Sequence, residues 1–263
     1  MYKNKIPLSN LTPGGVFETM RSYEGRIFRL KEHVERFFES CNSAARKAPC
    51  DKPKLAILLR NALAKSKLKE AHIRLALYGG NHKPAEISLL IRPFKSYPGA
   101  CYRKGVSLIT SVVKKSPAGC VCSKIKSSNF LAGVIAKAEV AKSRGFEPML
   151  LNEKGIVAEG AVSNIFIIKE GVLMTSPVSA GLLRGITRGV VLELADKLGI
   201  GAKESLLTRH DIYIADEAFI TNTIMEIVPV VGVDGRKVGK GRPGAITKKL
   251  MEEFKNETRR KEG

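Results

Sequence analysis

The sequence predicts an α+β protein with a small N-terminal domain and a larger C-terminal domain. Alternating strands and amphipathic helices are mixed along both parts of the chain, which indicates packed layers of both element types. The stretch 93–100 contains two prolines and a glycine and is typical of a linker. We therefore assign residues 1–95 to the small domain, 96–101 to an interdomain loop and 102–263 to the large domain.

The small domain is predicted as a sheet with accompanying helices. Residues 16–23 alternate between apolar and polar types, and Glu24-Gly25 turns the chain into a second strand. The predicted strands are 16–23, 26–30, 71–78 and 85–92, and the predicted helices are 31–46 and about 54–67.

The large domain is predicted to contain more strands than helices. One helix follows Lys126 and ends at Gly145, and another covers 187–198 and ends at Gly199. The predicted strands are 105–113, 147–152, 155–161, 165–168 and 172–176, and residues 177–185 are predicted as a loop. The C-terminal stretch 255–263 alternates in charge and is typical of a solvated helix end.

Two charged residues in the large domain are candidates for chemistry. Lys126 lies where an extended segment gives way to a helix, and Ser127, Ser128 and Asn129 directly after it are good N-cap residues. Glu159 is the one acid in a strand of small residues, where a flat molecule could lie close to the backbone. Taken alone, such a pair is far more often an ordinary surface lysine and an ordinary strand glutamate than a catalytic pair.

The net charge of +20 favours anionic partners. Such a charge suits either anionic small molecules or nucleic acid. The basic residues are scattered, aromatic residues make up only 6% of the chain, tryptophan is absent and no nucleic-acid motif occurs. We therefore expect small-molecule substrates and no nucleic-acid partner.

Hydropathy and cysteine content favour a cytoplasmic protein without a metal. The chain has no apolar run long enough to cross a membrane, and residues 1–7 lack the apolar core of a signal peptide. Its five cysteines are odd in number and show no zinc-site spacing, so we expect reduced thiols. Cys120 and Cys122 would lie on one face of a strand as a neutral pair.

Three motifs follow one another along the chain: Lys-Ser-Ser-Asn-Phe from Lys126, Ala-Glu-Gly-Ala-Val-Ser-Asn-Ile-Phe around Glu159, and Leu-Leu-Arg-Gly-Ile-Thr-Arg over 182–188. They resemble those of the class IV aminotransferases, the fold type IV pyridoxal-phosphate enzymes. The similarity runs in order from about Gly15 to Val230. It implies a small N-terminal α/β domain, a larger mixed α/β barrel-like domain, the cofactor pyridoxal 5′-phosphate and a homodimer.

The resemblance also implies roles for residues that contact the cofactor. Lys126 matches the lysine that binds the cofactor aldehyde and moves the substrate proton, and Glu159 matches the acid beside the pyridine nitrogen. Residues that match phosphate ligands come from separate parts of the chain: Arg36, Ile186, Thr187 and Thr223. A guanidinium and a helix start with free N–H groups are both suited to phosphate.

The substrate side of the site is less closely defined by the resemblance. Phe17, Arg74 and Ile224 match substrate-binding positions, with Arg74 where branched-chain aminotransferases carry an arginine for a substrate carboxylate. Thr19 replaces a glycine of those enzymes and resembles the lyases of the family, where its hydroxyl could assist proton transfer. Phe130 replaces a common tyrosine, and the lead-in over 8–15 also departs from the family pattern.

Two reactions fit these residues. The first is transamination between a small or branched-chain amino acid and a 2-oxo acid, which we take as the expected function. The second is the aminodeoxychorismate lyase reaction, which releases pyruvate and 4-aminobenzoate. A D-amino-acid aminotransferase and a protein without catalysis are further alternatives.

Overall fold

The computed structural model describes residues 15–79, 85–115, 125–127, 131–141, 143 and 145–260. The chain packs into two units. Unit 1 comprises Met1–Phe94 with Ile125–Phe130, and unit 2 comprises Lys95–Lys124 with Leu131–Gly263. The segment that carries Lys126 thus belongs to the small unit, although it lies far along the chain.

Unit 1 is a four-stranded antiparallel sheet with two helices. Its elements are β1 (Val16–Tyr23), β2 (Arg26–Ile27), α1 (Leu30–Ser43), α2 (Lys52–Ser66), β3 (Ala71–Tyr78) and β4 (Glu86–Pro93). The strand order is β2-β1-β3-β4. Alternate residues of β1 are buried, and they pack with β3 and with apolar residues of both helices such as Phe37, Leu55 and Leu59.

Local chemistry shifts the helix ends from their predicted positions. Helix α1 ends at Ser43 instead of residue 46, because Ala45 adopts a left-handed conformation with φ of 51°. Helix α2 begins at Lys52 instead of residue 54, because the Asp51 side chain accepts a hydrogen bond from Lys54 N at 2.8 Å.

Unit 2 is built on a larger mixed sheet. Its elements are α3 (Gly99–Lys104), β5 (Val106–Lys114), α4 (Leu131–Ala141), β6 (Glu147–Leu151), β7 (Val157–Gly160), β8 (Asn164–Lys169), β9 (Val172–Thr175), a 3-10 helix (Val178–Ala180), α5 (Ile186–Lys197), β10 (Ala202–Glu204), α6 (Arg209–Tyr213), β11 (Glu217–Asn222), β12 (Glu226–Val233), β13 (Arg236–Lys237) and α7 (Ala245–Arg259). The strand order is β10-β9-β8-β11-β12-β5-β6-β7, with β13 paired to β12. The mixture of helices and strands in both units confirms the α+β prediction. The stretch 96–101 was predicted as an interdomain loop, but its last three residues are helical, because α3 begins at Gly99.

A stacked pair of phenylalanines at the centre of the large sheet fixes the register of two strands that carry candidate site residues. Phe166 on β8 and Phe219 on β11 are direct partners in the antiparallel pair, and both are fully buried. Their rings stack with centroids 4.9 Å apart. This contact holds the ends of β8 and β11, from which Asn164 and Asn222 project, in a fixed register.

The described residues also bear on the metal, thiol and membrane predictions. Cys41, Cys50 and Cys101 are free thiols, whereas Cys120 and Cys122 lie outside the described residues. Within the described ranges, no three His, Cys, Asp or Glu residues are grouped as metal ligands would be. No helix in those ranges is both long and apolar enough to span a bilayer.

A buried ionic cluster joins α1 to the sheet of unit 1. Glu18 on β1 is fully buried and accepts hydrogen bonds from Arg36 Nε at 2.7 Å and from a terminal Arg36 nitrogen at 2.8 Å. His33 Nδ1 lies 2.8 Å from Glu18 Oε2. Such a bidentate pair both satisfies the carboxylate and fixes the plane of the guanidinium.

The cluster sets the ionisation of its members. Burial alone would raise the pKa of Glu18, but Arg36 and His33 hold that pKa well below its usual range. Burial lowers the pKa of His33 despite the opposing effect of Glu18. His33 is therefore neutral at pH 7, and because a carboxylate can only accept, its proton lies on Nδ1.

We predict that Glu18→Gln strongly destabilises the protein at neutral pH. The substitution leaves the buried Arg36 charge without its counter-ion, so we expect a loss of about 3–5 kcal/mol in the free energy of unfolding, measured with urea. A carboxylate with a lowered pKa stabilises the fold above its unfolded pKa of about 4.3, and this contribution falls as the pH drops further. The difference between wild type and variant should therefore shrink below about pH 4.

Glu70→Gln is the matched control. Glu70 pairs with Arg21 at 3.4 Å but is 46% exposed. A surface pair of this kind contributes at most about 1 kcal/mol. Equal small losses for the two variants, or a Glu18→Gln loss that does not change with pH, would contradict the role given to the cluster.

Candidate active site

The backbone of Lys126 is held between β1 and α1 within unit 1. Its N–H donates to Ser40 Oγ at 3.2 Å, and its carbonyl accepts the N–H of Phe17 at 3.0 Å. Ser127 forms an isolated antiparallel bridge with Val16. Lys126 is thus fixed beside the start of β1, whereas Ser128, Asn129 and Phe130 lie outside the described residues.

The side chains of Lys126 and Arg74 both contact the ring of Phe17. The Nζ atom lies 5.1 Å from the centroid of the Phe17 ring, and the Arg74 guanidinium carbon lies 4.2 Å from the same centroid. Thr19 follows Phe17 on the same face of β1 and is the direct cross-strand partner of Arg74. Four predicted site residues therefore lie together on one face of the sheet in unit 1.

Arg36 lies on the other face of that sheet. Its Nε and one terminal nitrogen donate to Glu18, which alternates with Phe17 and Thr19 along β1. The Arg36 guanidinium is thus oriented by Glu18. His33 Nε2 is buried and has no hydrogen-bond partner among the described residues.

Glu159 is a buried acid on β7 of unit 2, 7% exposed. Its Oε2 atom accepts the N–H of Leu183 at 2.9 Å. Its Oε1 atom forms an ion pair with Lys115 Nζ. A carboxylate held by one backbone donor and one ammonium group is fixed in orientation and remains available to a further donor.

The start of α5 has the geometry of an anion site. Gly185 is its N-cap and supplies no side-chain hydrogen bond, so the first N–H groups of the helix, including those of Ile186 and Thr187, are not capped locally. Thr187 is buried and adds a hydroxyl. A Cβ on Gly185 would lie 2.0 Å from Asn164 Oδ1, so a side chain at this position would displace Asn164.

Asn164 connects this helix start to Glu159. Its Nδ2 donates to the carbonyl of Leu183 at 3.0 Å, and the N–H of Leu183 is the donor to Glu159. Asn164 is also the cross-strand partner of Thr221, close to the predicted ligand Thr223. Asn164 therefore connects Glu159, through Leu183, to Gly185 at the start of α5.

Thr223 and Ile224 lie in the turn between β11 and β12. Asn222 Oδ1 accepts the N–H groups of Ile224 at 2.9 Å and Met225 at 2.8 Å, and Asn222 Nδ2 donates to the carbonyl of Val162 at 3.1 Å. A substrate carboxylate at Ile224 would therefore compete with the Asn222 side chain. Thr221 Oγ1 is buried without a hydrogen-bond partner among the described residues.

A second buried acid fixes the turn after Glu159. Glu147 Oε1 accepts Val162 N at 2.7 Å and Ser163 Oγ at 2.8 Å. Burial raises the pKa of Glu147 above its ordinary value. A Cβ on Gly160 would lie 2.5 Å from Glu147 Oε1, so the small residue next to Glu159 is required by this contact.

Sequence reasoning missed the residues that support the site: Glu18, Lys115, Glu147, Asn164 and Asn222. Glu18 could have been found, because the alternation of β1 places it on the inward face with Val16 and Met20. Asn222 directly precedes a turn, which is a common position for a side chain that accepts backbone N–H groups. Lys115, Glu147 and Asn164 act through partners distant in sequence, and no local pattern marks them.

These donors fit a phosphorylated pyridine cofactor. The uncapped start of α5 and the Thr187 hydroxyl suit a phosphate, and the buried Thr221 hydroxyl is an unused polar group of the same unit. The buried Glu159 carboxylate suits a protonated ring nitrogen. In unit 1, the Lys126 amine is the nucleophile that an aldehyde requires.

Known proteins similar to this chain are aminotransferases. A Methanocaldococcus jannaschii protein is 40% identical over 252 residues, 92% of this chain and 86% of that protein, and its name marks branched-chain-amino-acid aminotransferase activity as inferred. The branched-chain-amino-acid aminotransferase of Pseudomonas aeruginosa is 34% identical and covers 91% of this chain and 82% of its own length. The D-alanine aminotransferase of Bacillus licheniformis is 30% identical, with 92% and 87% covered.

Solved structures agree with the fold. The Escherichia coli branched-chain amino acid aminotransferase matches with a TM-score of 0.90 at 29% identity, over 95% of this chain and 88% of that one. The T.th. branched-chain amino acid aminotransferase complexed with N-(5′-phosphopyridoxyl)-L-glutamate matches with a TM-score of 0.89 at 32% identity, over 98% and 91%. The fold type IV prediction is thereby confirmed. The model of the amino-transferase class IV family matches residues 15–233, and the chain therefore belongs to the class IV aminotransferase family.

Proposed function

We propose that the chain is a pyridoxal-phosphate-dependent aminotransferase that transfers an amino group between a small or branched-chain amino acid and a 2-oxo acid. The observation that carries the proposal is the linked set of polar groups in unit 2, where Asn164 connects the buried Glu159 to the uncapped start of α5. The family membership and the named activities of the relatives support the same reaction.

The phosphate and the ring of the cofactor would be held by different elements. The N–H groups at the start of α5, the Thr187 hydroxyl, Arg36 and Thr223 would bind the phosphate, with the positive end of the helix dipole adding to the attraction. Glu159 would hold a proton at the ring nitrogen. The bound cofactor supplies an aldehyde and an electron-withdrawing ring that stabilises negative charge on the substrate α-carbon.

Lys126 would perform the proton transfer. Its amine would hold the cofactor aldehyde, and the same Nζ, when free, would take up the proton of the substrate α-carbon. The backbone bonds to Ser40 and Phe17 limit the positions that this side chain can reach. Thr19 lies on the same sheet face and would assist the proton transfer through its hydroxyl.

Phe17, Arg74 and Ile224 would bind the substrate. The Phe17 ring offers an apolar contact to an aliphatic side chain, and Arg74 beside it offers a cation to a carboxylate. The relatives described above are aminotransferases, so the aminodeoxychorismate lyase alternative is not favoured. The D-alanine aminotransferase relative keeps a D-amino-acid substrate as the second candidate.

The homodimer and the cytoplasmic location stay predictions. The family resemblance implies that side chains of one small domain complete the site of the partner subunit. The mass of the protein in dilute solution, measured by light scattering, tests the dimer.

We predict that L-leucine converts the lysine-bound cofactor to pyridoxamine phosphate in the absence of any 2-oxo acid. The first half of a transamination consumes only the amino acid, so one equivalent of 2-oxo acid should form per site. The absorption spectrum of the cofactor-loaded protein measures the conversion. D-alanine and aminodeoxychorismate are tested in parallel.

The parallel substrates define the contrary outcomes. Faster conversion by D-alanine would assign the D-amino-acid class. Repeated release of pyruvate and 4-aminobenzoate from aminodeoxychorismate, with the spectrum restored each time, would assign the lyase. No reaction with any of the three would overturn the proposed function.

We predict that Arg74→Ala lowers kcat/KM for the 2-oxo acid acceptor by about 10- to 100-fold, the loss expected for a hydrogen bond to a charged group. Arg92→Ala is the matched control. Arg92 lies on the neighbouring strand β4 and is exposed, and its cross-strand partner on β3 is His72, not Arg74. Equal effects of the two variants would contradict a substrate contact for Arg74.

A further inference from the structure

Lys115 contacts the acid that is expected to face the cofactor ring. Its Nζ pairs with Glu159 Oε1, and the two side chains are only 19% and 9% exposed. The residue follows directly after β5, and its N–H donates to the carbonyl of Leu151 at 2.8 Å. Because β6 lies between β5 and β7 in the sheet, this bond holds Lys115 one strand away from β7, which carries Glu159.

A carboxylate buried as deeply as Glu159 must be compensated by hydrogen-bond donors or by a cation. Removing a charge from water without compensation is costly, and one backbone N–H from Leu183 does not neutralise it. Among the described residues, Lys115 is the side chain that forms an ion pair with Glu159. The protein thus supplies its own counter-ion for this acid.

The proposed function gives Glu159 a second cation. A protonated ring nitrogen and the Lys115 ammonium would share one buried carboxylate, which leaves an excess positive charge in a region of low dielectric. Two cations in contact with the same carboxylate repel each other, so each weakens the binding of the other.

We propose that Lys115 is the resident counter-ion of Glu159 and competes with the cofactor ring nitrogen for it. Lys115 stabilises the cofactor-free protein and lowers its affinity for the cofactor. The competition rests on the proposed function, whereas the ion pair itself does not. Lys115 is a positioning residue, because it acts on the ring through Glu159.

The ion pair is tested first in cofactor-free protein. The variants are Lys115→Met, Glu159→Gln and the double variant, compared by their urea unfolding midpoints. Each single variant leaves one buried partner uncompensated and should lower the midpoint. The double variant should lose less than the sum of the two single losses, because neither charge remains. A loss in the double variant equal to the sum of the two single losses would contradict the ion pair between Lys115 and Glu159.

The competition is tested by binding. We expect Lys115→Met to bind pyridoxal phosphate about tenfold more tightly than wild type, since the ring nitrogen then has no competitor for Glu159. Lys115→Arg should keep the wild-type affinity. The matched control is Lys114→Met, which removes the same charge from the exposed last residue of β5 and should change the affinity little.

A cofactor analogue isolates the ring nitrogen. The 1-deaza analogue of pyridoxal phosphate has carbon in place of that nitrogen and cannot bind Glu159 through it. Lys115→Met should therefore gain no affinity for the analogue. An equal gain for both compounds, or no gain for either, would overturn the competition while leaving the proposed function intact. Failure of wild type to bind pyridoxal phosphate would instead overturn the proposed function, and the competition with it.

Discussion

A carboxylate removed from water must be surrounded by donors or cations, and this constraint shapes both units of the protein. In unit 1, Glu18 binds Arg36 and His33 of α1 on the sheet face opposite to Phe17 and Thr19. In unit 2, Glu159 accepts a hydrogen bond from Leu183 N and forms an ion pair with Lys115. Glu147 binds Val162 N in the turn after Glu159. The polar residues of the candidate site are positioned by these buried acids as much as by the apolar core.

Three of the four strands of unit 1 could be predicted closely from the sequence, because their signal is local. The strand predicted over 26–30 is wrong beyond Ile27, since α1 already begins at Leu30. Alternation gives β1 and β3 their observed bounds, Val16–Tyr23 and Ala71–Tyr78. Helix α7 shows the opposite case. Its N-cap is Gly244, and its first N–H groups are bound by Glu217 on β11, with Ile246 N at 3.1 Å and Thr247 N at 2.7 Å. A helix start capped from a distant strand carries no local signal, so only its charged end was predicted.

The residues of the candidate site also differ in whether a local sequence signal marks them. Lys126, Glu159 and the phosphate positions were found because their neighbours form recognisable motifs, whereas their supports were not. Lys115, directly after β5, contacts Glu159 on β7 across the single strand β6. Asn164 contacts the carbonyl of Leu183 and lies against Gly185. Asn222 Oδ1 accepts the N–H groups of the turn that contains Ile224, a predicted substrate-binding residue. Contacts of this kind depend on the register of the sheet, which the sequence of one strand does not specify.

The most direct test of the account is borohydride reduction of the cofactor-loaded protein, followed by peptide mapping. Borohydride makes the bond between cofactor and lysine permanent, so the labelled peptide identifies the lysine. We expect a single label on Lys126, and none after Lys126→Ala. A label on Lys115 or on any other lysine, or no label in wild-type protein that binds the cofactor, would contradict the central claim.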